Sequence, residues 1–406
     1  MSALLQGIRA VEVAAFGNGP IIGVILGDLG AEIIKIEDRI TGDPARGIFS
    51  MHGVNTFSQE GHNMVFESGN RNKKSITIDL TKEKGQEIAY RLIEKSDVFY
   101  SNYRRSSLKR IHMDYESLSK RNPRLVYATA SGYGKNGPDS DKRAFDPIGL
   151  ARSGIMTASG ERDGPPGYIV GTVADTLGAT MTAFGIVGGL LARERLGIGQ
   201  EIDNSLLGSL IWVQYTNVAL TLTRGRAIAR HLRTRAKNPL VNAYKCKDGQ
   251  WIMLGESQSD RFWHQFCQIL GIESLEKDQR FHDAMKRLDN CEELVKILDD
   301  IFAGRTRQEW LEHFKAKGAE FAYDGVYTLM ELADDTQVQA NSYIVDNDHP
   351  RFGHIKLVQF PVYFSGTPIV PEKRPAPQFG EHTEEILLEL GYSWEDISQL
   401  KEEEVI

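Results

Sequence analysis

The chain has 406 residues, enough for two or three domains and a large core. Its 41% apolar and 25% charged composition is ordinary for a globular protein. A net charge of −7 argues against a surface built for non-specific nucleic-acid binding. The three cysteines, Cys246, Cys267 and Cys291, show no Cys-x-x-Cys spacing, which excludes a disulfide framework and a cysteine zinc site and suits a reducing compartment. The N-terminus carries no charged-then-apolar signal pattern, and no uninterrupted apolar run is long enough to span a membrane. The expectation is a cytoplasmic protein.

Ile8–Val13 is expected as a strand, Phe16-Gly-Asn-Gly-Pro as a tight turn, Ile21–Leu29 as a helix and Glu32–Glu37 as a second strand. This βαβ unit invites a dinucleotide reading, with glycines at 17, 19 and 23 and an acid about twenty residues on. The match is poor: the third glycine comes one place late, and Pro20 removes an amide where a pyrophosphate needs one. Strands Ser75–Leu80, Val98–Ser101 and Leu125–Ala130 follow, with helices at Lys82–Lys95 and through Tyr115–Lys120. Such alternation implies an α/β fold with a parallel sheet covered on both faces. Ligands in these sheets bind beyond the carboxyl ends of the strands. The segments to watch are therefore Ala14–Pro20, Asp38–Gly47, Leu80–Lys82, Asn102–Arg105 and Ser131–Arg143. Several are basic or glycine-rich, as a phosphorylated ligand would favour, although solvated loops look the same.

Further on, an apolar run from Tyr168 to Val173 leads to a lone carboxylate, Asp175, and then to a helix. Gly178, Gly185 and Gly189 fall on one face of that helix, which implies a bulky neighbour or a close backbone. Asp175 has two readings here: a helix N-cap, or a carboxylate aimed into a tight apolar place. A short strand after Gly199 leads to an apolar helix, Leu206–Leu222. Arg224–Lys237 holds six basic residues and no acid, either an anion-binding strip or a solvated linker. A hairpin, Asn242–Cys246 with Trp251–Leu254, precedes helices starting near Ser257 and at the capping box Thr306-x-x-Glu309. From Leu329 a helix is expected, then strands near Ile355–Val358 and Val362–Phe364, Pro-rich loops, and a last helix after Gly380-Glu-His-Thr. The expected division is 1–224 and 331–406 for a large domain and 225–330 for a smaller α+β one.

The inventory of chemistry is short. The ten histidines form no metal-ligand pair within a carboxylate cluster, so no metal is expected; His349 and His354 are expected at the surface. There is no Gly-x-Ser-x-Gly elbow, no P-loop and no cysteine beside an obvious base. Asp175 remains as a nucleophile, one that desolvation, fixed geometry and a nearby oxyanion-binding amide would activate.

Several motifs resemble a known family. They are Leu5-Gln-Gly-Ile-Arg-Ala-Val-Glu-Val, Gly19-Pro, Leu29-Gly-Ala-Glu-Ile-Ile-Lys-Ile-Glu, Gly42-Asp-Pro-Ala-Arg and Asn72-Lys-Lys-Ser-Ile, followed by Ser101-Asn-Tyr-Arg, Gly132-Tyr-Gly, Val173-Ala-Asp, Gly199-Gln-Glu-Ile-Asp and Gly380-Glu-His-Thr. Together they make the chain similar to the family III (class III, CaiB/BaiF-type) CoA-transferases from Leu5 to about Gly391. The likeness is strongest to transferases of aryl and branched acids such as phenyllactate, 2-hydroxyisocaproate and benzylsuccinate.

The resemblance implies a Rossmann-like large domain built from both chain ends, a smaller domain between them, and an interlocked dimer. It implies transfer of CoA from a donor such as succinyl-CoA to another carboxylic acid, with no tightly bound cofactor. The family nucleophile falls on Asp175. CoA-contacting positions fall on Gly17, Asn18, Asp38, Ile78, Leu80, Thr81, Asn102, Tyr103, Arg104, Arg110 and the Arg143–Asp146 segment with Phe145. Asp38 stands where relatives often place an arginine, with Arg39 as its substitute. The glycine-run loop of formyl-CoA transferase is absent between Gly199 and Trp251, which disfavours oxalate. The related α-methylacyl-CoA racemases pair this Asp with a His in Gly-His-Asp; here Ala144-Phe145-Asp146 lacks it. The alternatives are that racemase activity, or a role as one subunit of a hetero-oligomeric transferase with a paralogous chain rather than a homodimer. Neither nucleic acid nor membrane is an expected partner.

Overall fold

The computed structural model describes residues 2–369 and 374–406, so residues 370–373 of the expected Pro-rich loops lie outside the described residues. Six parallel strands form the principal sheet: β1 (Arg9–Val13), β2 (Glu32–Glu37), β3 (Lys73–Thr77), β4 (Val98–Ser101), β5 (Val126–Ser131) and β6 (Gln200–Ser205). Their spatial order is β3-β2-β1-β4-β5-β6, so the chain turns in opposite directions on either side of β1 and β4. Ligands in such sheets sit at that reversal, outside the carboxyl ends of the strands.

The strands run nearly continuously buried because helices cover both faces. On one face Val11, Ile34, Ile76 and Phe99 pack with Ile88, Leu92 and the C-terminal Leu387 and Ile397. On the other, Ala10, Ile33, Val98 and Val126 meet helix α1 (Asn18–Asp28) and helix α3 (Val173–Leu196). Between the latter two in the chain comes α2 (Asp146–Arg152), and after β6 come α4 (Leu206–Val213) and α5 (Tyr215–Arg224). Every residue of α1 except Ile21 is buried, as a helix apolar on all sides requires.

The chain divides into two compact units. One comprises Met1–Ala158, Tyr168–Ile228 and Ser342–Ile406 and contains the parallel sheet. The other comprises Ser159–Gly167 and Ala229–Asn341. Its three strands, Val241–Lys245, Trp251–Gly255 and Tyr323–Val326, are antiparallel and pack with helices around Tyr244, Phe266, Phe302 and Phe314. The Thr306–Glu309 capping box is present, with both reciprocal bonds formed. Arg230 donates to the carbonyls of Glu161, Gly164 and Pro165, which ties the first short segment to this unit.

Several expectations are corrected. The apolar helix after β6 breaks at Gln214, whose side chain donates to the carbonyls of Ser153 and Leu210. After Leu329 there is only a 3-10 turn, Glu331–Ala333, and a short helix, Thr336–Ala340. Val362–Phe364 is not a strand; Gly353–Val358 pairs instead with Ile344–His349. His349 is not at the surface but buried, with Nε2 3.0 Å from Glu67. Part of the basic strip is engaged within its own unit: Arg233 chelates Asp299 at 2.8 and 3.0 Å, and Arg235 lies 3.2 Å from Glu292. By length and hydropathy α3 would suffice to cross a membrane, yet it packs against β5, β6 and α1 as a core helix.

Candidate active site

A cavity of about 620 Å³ opens at the carboxyl edge of the parallel sheet. It takes its walls from the segments that follow β1, β2, β3, β4 and β5, with Leu206 from the start of α4 and Asp175 from the first turn of α3. Gly17, Asn18 and Asp38 line it, as do Ile78, Leu80 and Thr81. Asn102, Tyr103, Arg104 and Arg110 form another wall, and Arg143 and Phe145 a third. The sequence segments that were expected to frame a ligand thus converge on one hollow.

Two expected positions do not reach it. Arg39 turns away to Glu404 at 3.5 Å and is not part of the wall, although its neighbour Asp38 is. Asp38 itself closes its own turn, accepting from the amides of Ile40 and Thr41 and from the Thr41 hydroxyl. Asp146 is buried outside the wall, with its carboxylate Oδ2 accepting from the amides of Ala174 at 2.7 Å and Asp175 at 3.1 Å. This corrects the N-cap reading as well. Thr172 is the N-cap of α3 without a side-chain capping bond, Asp175 stands inside the first turn, and two first-turn amides, those of Ala174 and of Asp175 itself, are capped by Asp146. Nothing local in the sequence signals this, because the acceptor comes from another element.

The neighbours of Asp175 are close. A Cβ at position 17 would collide with Asp175 Oδ2, so glycine here lets the β1–α1 loop lie against the carboxylate without displacing it. The Asn18 side chain donates to the Asp175 carbonyl at 3.0 Å. Gly178 faces Asn18 and Leu206, while Gly185 and Gly189 face Ile202, and a Cβ at either of the latter would lie 2.9 Å from it. The glycine face therefore lets α3 approach the sheet and α1, which sets the depth of Asp175. Burial, with the charge of Asp146 second, pushes the Asp175 carboxyl up to about 7.

The loop facing Asp175 is held along its length. Asn102 bonds both the amide and the carbonyl of Ala15, at 3.1 and 2.8 Å. Asp43 accepts from the amide of Phe16, a residue held at φ 65°. Lys35, fully buried, reaches the Ala14 carbonyl, Glu12 and Asp43 at 2.7, 2.7 and 2.9 Å. Lys73 also binds Glu12 at 2.7 Å. Burial pushes the Glu12 carboxyl up, but the two lysines outweigh it and hold it at about 2. Asn102 is among the positions expected at the site, but Glu12, Lys35, Asp43 and Lys73 carry no sequence-based role; buried lysines in strands otherwise rich in Val and Ile were the available signal.

The cavity carries exposed cations. Arg104, Arg110, Lys142 and Arg143 line it, and among the described residues none of them forms an ion pair. Asp79, the other acid of that wall, is engaged by the amide and hydroxyl of Thr81. The arrangement offers anion-binding donors and one desolvated carboxylate in the same hollow. No group of His, Cys, Asp and Glu among the described residues is arranged to hold a metal ion. Burial pushes the Cys246 and Cys267 thiols up to about 11 and 12, so neither is a poised thiolate.

The chain belongs to CoA-transferase family III, whose profile matches residues 5–383. It is an enzyme of that family, a CoA-transferase acting on an acyl-CoA and a carboxylate. It is 31% identical to the (R)-2-hydroxy-4-methylpentanoate CoA-transferase of Clostridioides difficile over 405 residues, 99% of each chain. It is 30% identical to the cinnamoyl-CoA:phenyllactate CoA-transferase of Clostridium sporogenes over 406 residues, 99% of this chain and 97% of the relative. Among solved structures, a CaiB/BaiF family protein from Brucella suis superposes with a TM-score of 0.82 at 28% identity, over 96% of this chain and 100% of that one.

Proposed function

We propose that the enzyme moves CoA from an acyl-CoA donor, such as succinyl-CoA, to a branched or aromatic carboxylic acid, with Asp175 as nucleophile. The observation that carries this reading is the position of Asp175: a desolvated carboxylate against Gly17, in the cavity that also holds the unpaired cations. The apolar wall residues Val13, Phe16, Ala130, Phe145 and Leu206 suit the branched or aromatic acyl group of the acceptor. The relatives named for branched hydroxy and aryl acids support the same class.

The Asp175 carboxylate attacks the thioester carbon of the donor. A C–O bond forms, the C–S bond breaks, and CoA leaves as thiolate, giving an acyl-aspartyl mixed anhydride. The thiolate then attacks the γ-carbon of Asp175 and expels the donor acid as carboxylate. The resulting aspartyl-CoA thioester is opened by the acceptor carboxylate, and the thiolate finally attacks the new acyl carbon and frees Asp175. Charge is conserved at each step, and no electron or metal is needed. Free amides at the start of α1, beside Gly17, supply donors for the oxyanion of the tetrahedral species. Arg104, Arg110, Lys142 and Arg143 bind the CoA phosphates.

We further infer that the working form is a homodimer in the cytoplasm. Trp212, Val213, Tyr215, Leu220 and Leu222 are exposed apolar residues clustered on α4 and α5, a surface that a second copy would cover. Light scattering should give twice the chain mass; a monomer would contradict the dimer. For the reaction, purified enzyme is incubated with succinyl-CoA or acetyl-CoA and a panel of acids, and the CoA products are read by mass spectrometry. Exchange confined to branched or aryl acids, and lost in Asp175→Ala, is expected. Transfer to oxalate alone, or full exchange by Asp175→Ala, would contradict the reading.

A further inference from the structure

The carboxylate of Asp146 serves two ends at once. Its Oδ2 accepts from two consecutive amides of the first turn of α3, at 2.7 and 3.1 Å, and the second of these is the amide of Asp175. Asp146 is buried, and its other oxygen, Oδ1, has no hydrogen-bond partner among the described residues. A neutral acceptor such as Asn would also satisfy the two amides, with weaker bonds than a carboxylate makes at a helix N-terminus. A buried negative charge next to another carboxylate is costly, so its presence calls for a reason beyond capping.

Resting on the nucleophile reading above, we propose that Asp146 is a positioning residue for Asp175: it fixes the first turn of α3 and sets a second negative charge beside the nucleophile. The repulsion is present while Asp175 is a free carboxylate. It is relieved when the thioester carbon bonds to Asp175 and the charge leaves with the CoA thiolate. The like charge therefore raises the reactant more than the acylated enzyme, which speeds acylation without adding any contact to the substrate.

Most charges on the elements packed against α3 are paired, and the unpaired cations line the cavity. On α1 the acid is Asp28, in the last turn and held by Arg71 at 2.7 Å. On β5 the titratable group is Tyr127, whose hydroxyl donates to the Met113 carbonyl. On β6, Glu201 and Asp203 are both bound by Arg105, at 2.8 and 2.9 Å. On α2, Arg152 is paired with Asp139 at 2.6 Å, and α4 carries no charged residue. On α3 itself, Arg193, Glu194 and Arg195 lie in or near the last turn. Across the cavity stand Asp38, Asp79, Tyr103, Arg104, Arg110, Lys142 and Arg143. Of all these groups, Asp146 is the one whose charge adds to burial in pushing the Asp175 carboxyl up.

The test compares Asp146→Asn with Asp146→Ala and wild type, measuring kcat and KM for acyl-CoA across pH 5–9 and single-turnover acylation of Asp175. Asn keeps an acceptor for the two amides and removes the charge. The expected result for Asn is an acid limb displaced downward by about half a unit or more, as removal of one of two like charges implies. Plateau kcat should fall several-fold, with KM within about twofold because Asp146 is outside the cavity wall. Ala should move the limb in the same direction and also lower thermal stability, which keeps the charge argument testable if Asn folds poorly. An unmoved acid limb in both variants would overturn the proposal and leave Asp146 as a cap alone. If wild type itself forms no covalent species at Asp175, the nucleophile reading fails; if it does and the limb stays put, only the role of Asp146 fails.

Discussion

At the scale of single residues, the chemistry turns on one carboxylate whose proton is held more tightly than usual. Asp175 must be ionised to attack, and burial places its titration at about 7, so the acid limb of kcat/KM for acyl-CoA should have its midpoint there. A pH profile flat from 5 to 8 would contradict this. The same shift has a stability consequence of opposite sign. Because the folded value lies above the unfolded one, near ~4, Asp175 favours the fold fully only below about pH 4 and that support is lost as pH rises through about 7. Asp175→Asn should therefore be inactive yet more stable than wild type at pH 8, by about 1–2 kcal/mol after allowance for partial solvation. Chemical denaturation at pH 8 and pH 5 checks it: the difference should shrink at the lower pH. Gly17→Ala places a methyl where Asp175 Oδ2 now lies, so kcat should fall by about 100-fold or more as the nucleophile is displaced. A variant with near-normal kcat would show that the contact is not needed.

Elements matter because they hold that carboxylate still. The loop from Ala14 to Gly17 is gripped by Asn102, Asp43 and Lys35, and Lys35 is fully buried with its partners Glu12 and Asp43. Lys35→Met removes the cation and leaves buried acids facing each other, which should cost about 3–5 kcal/mol in urea unfolding. A loss under 1 kcal/mol would mean that the cluster contributes little to holding the loop. Much at this scale was legible beforehand. β2 and β4 fall where their apolar runs predicted, and the spacing of Gly178, Gly185 and Gly189 announced the close approach of α3. What escaped has physical reasons. The break at Gln214 follows from side-chain bonds to two carbonyls, with no Gly or Pro to mark it. The strand Ile344–His349 is mostly polar and half exposed, so it shows no apolar alternation. Asp146 caps α3 from 28 residues away, which no local capping pattern can encode. Asp38 and Arg39 are adjacent in sequence, but one lines the cavity and the other faces Glu404, a matter of side-chain direction rather than motif.

For the whole molecule, the sheet order brings segments from six different strands to one edge, and the candidate site exists because the strand order reverses there. Arg110 belongs to that shared frame rather than to the acyl end. Arg110→Ala should raise KM for every CoA ester by a similar factor, about tenfold, with kcat little changed, since the CoA moiety is common to all donors. An effect confined to one acyl group would place Arg110 at the acid instead. The most direct test of the central claim is to trap the enzyme during turnover. Wild type is mixed with acyl-CoA in the absence of acceptor, then quenched with hydroxylamine or borohydride, digested and read by mass spectrometry. The expected result is a hydroxamate or an alcohol at Asp175, absent from Asp175→Asn. Label at another residue, or an unmodified Asp175 in enzyme that is turning over, would contradict it.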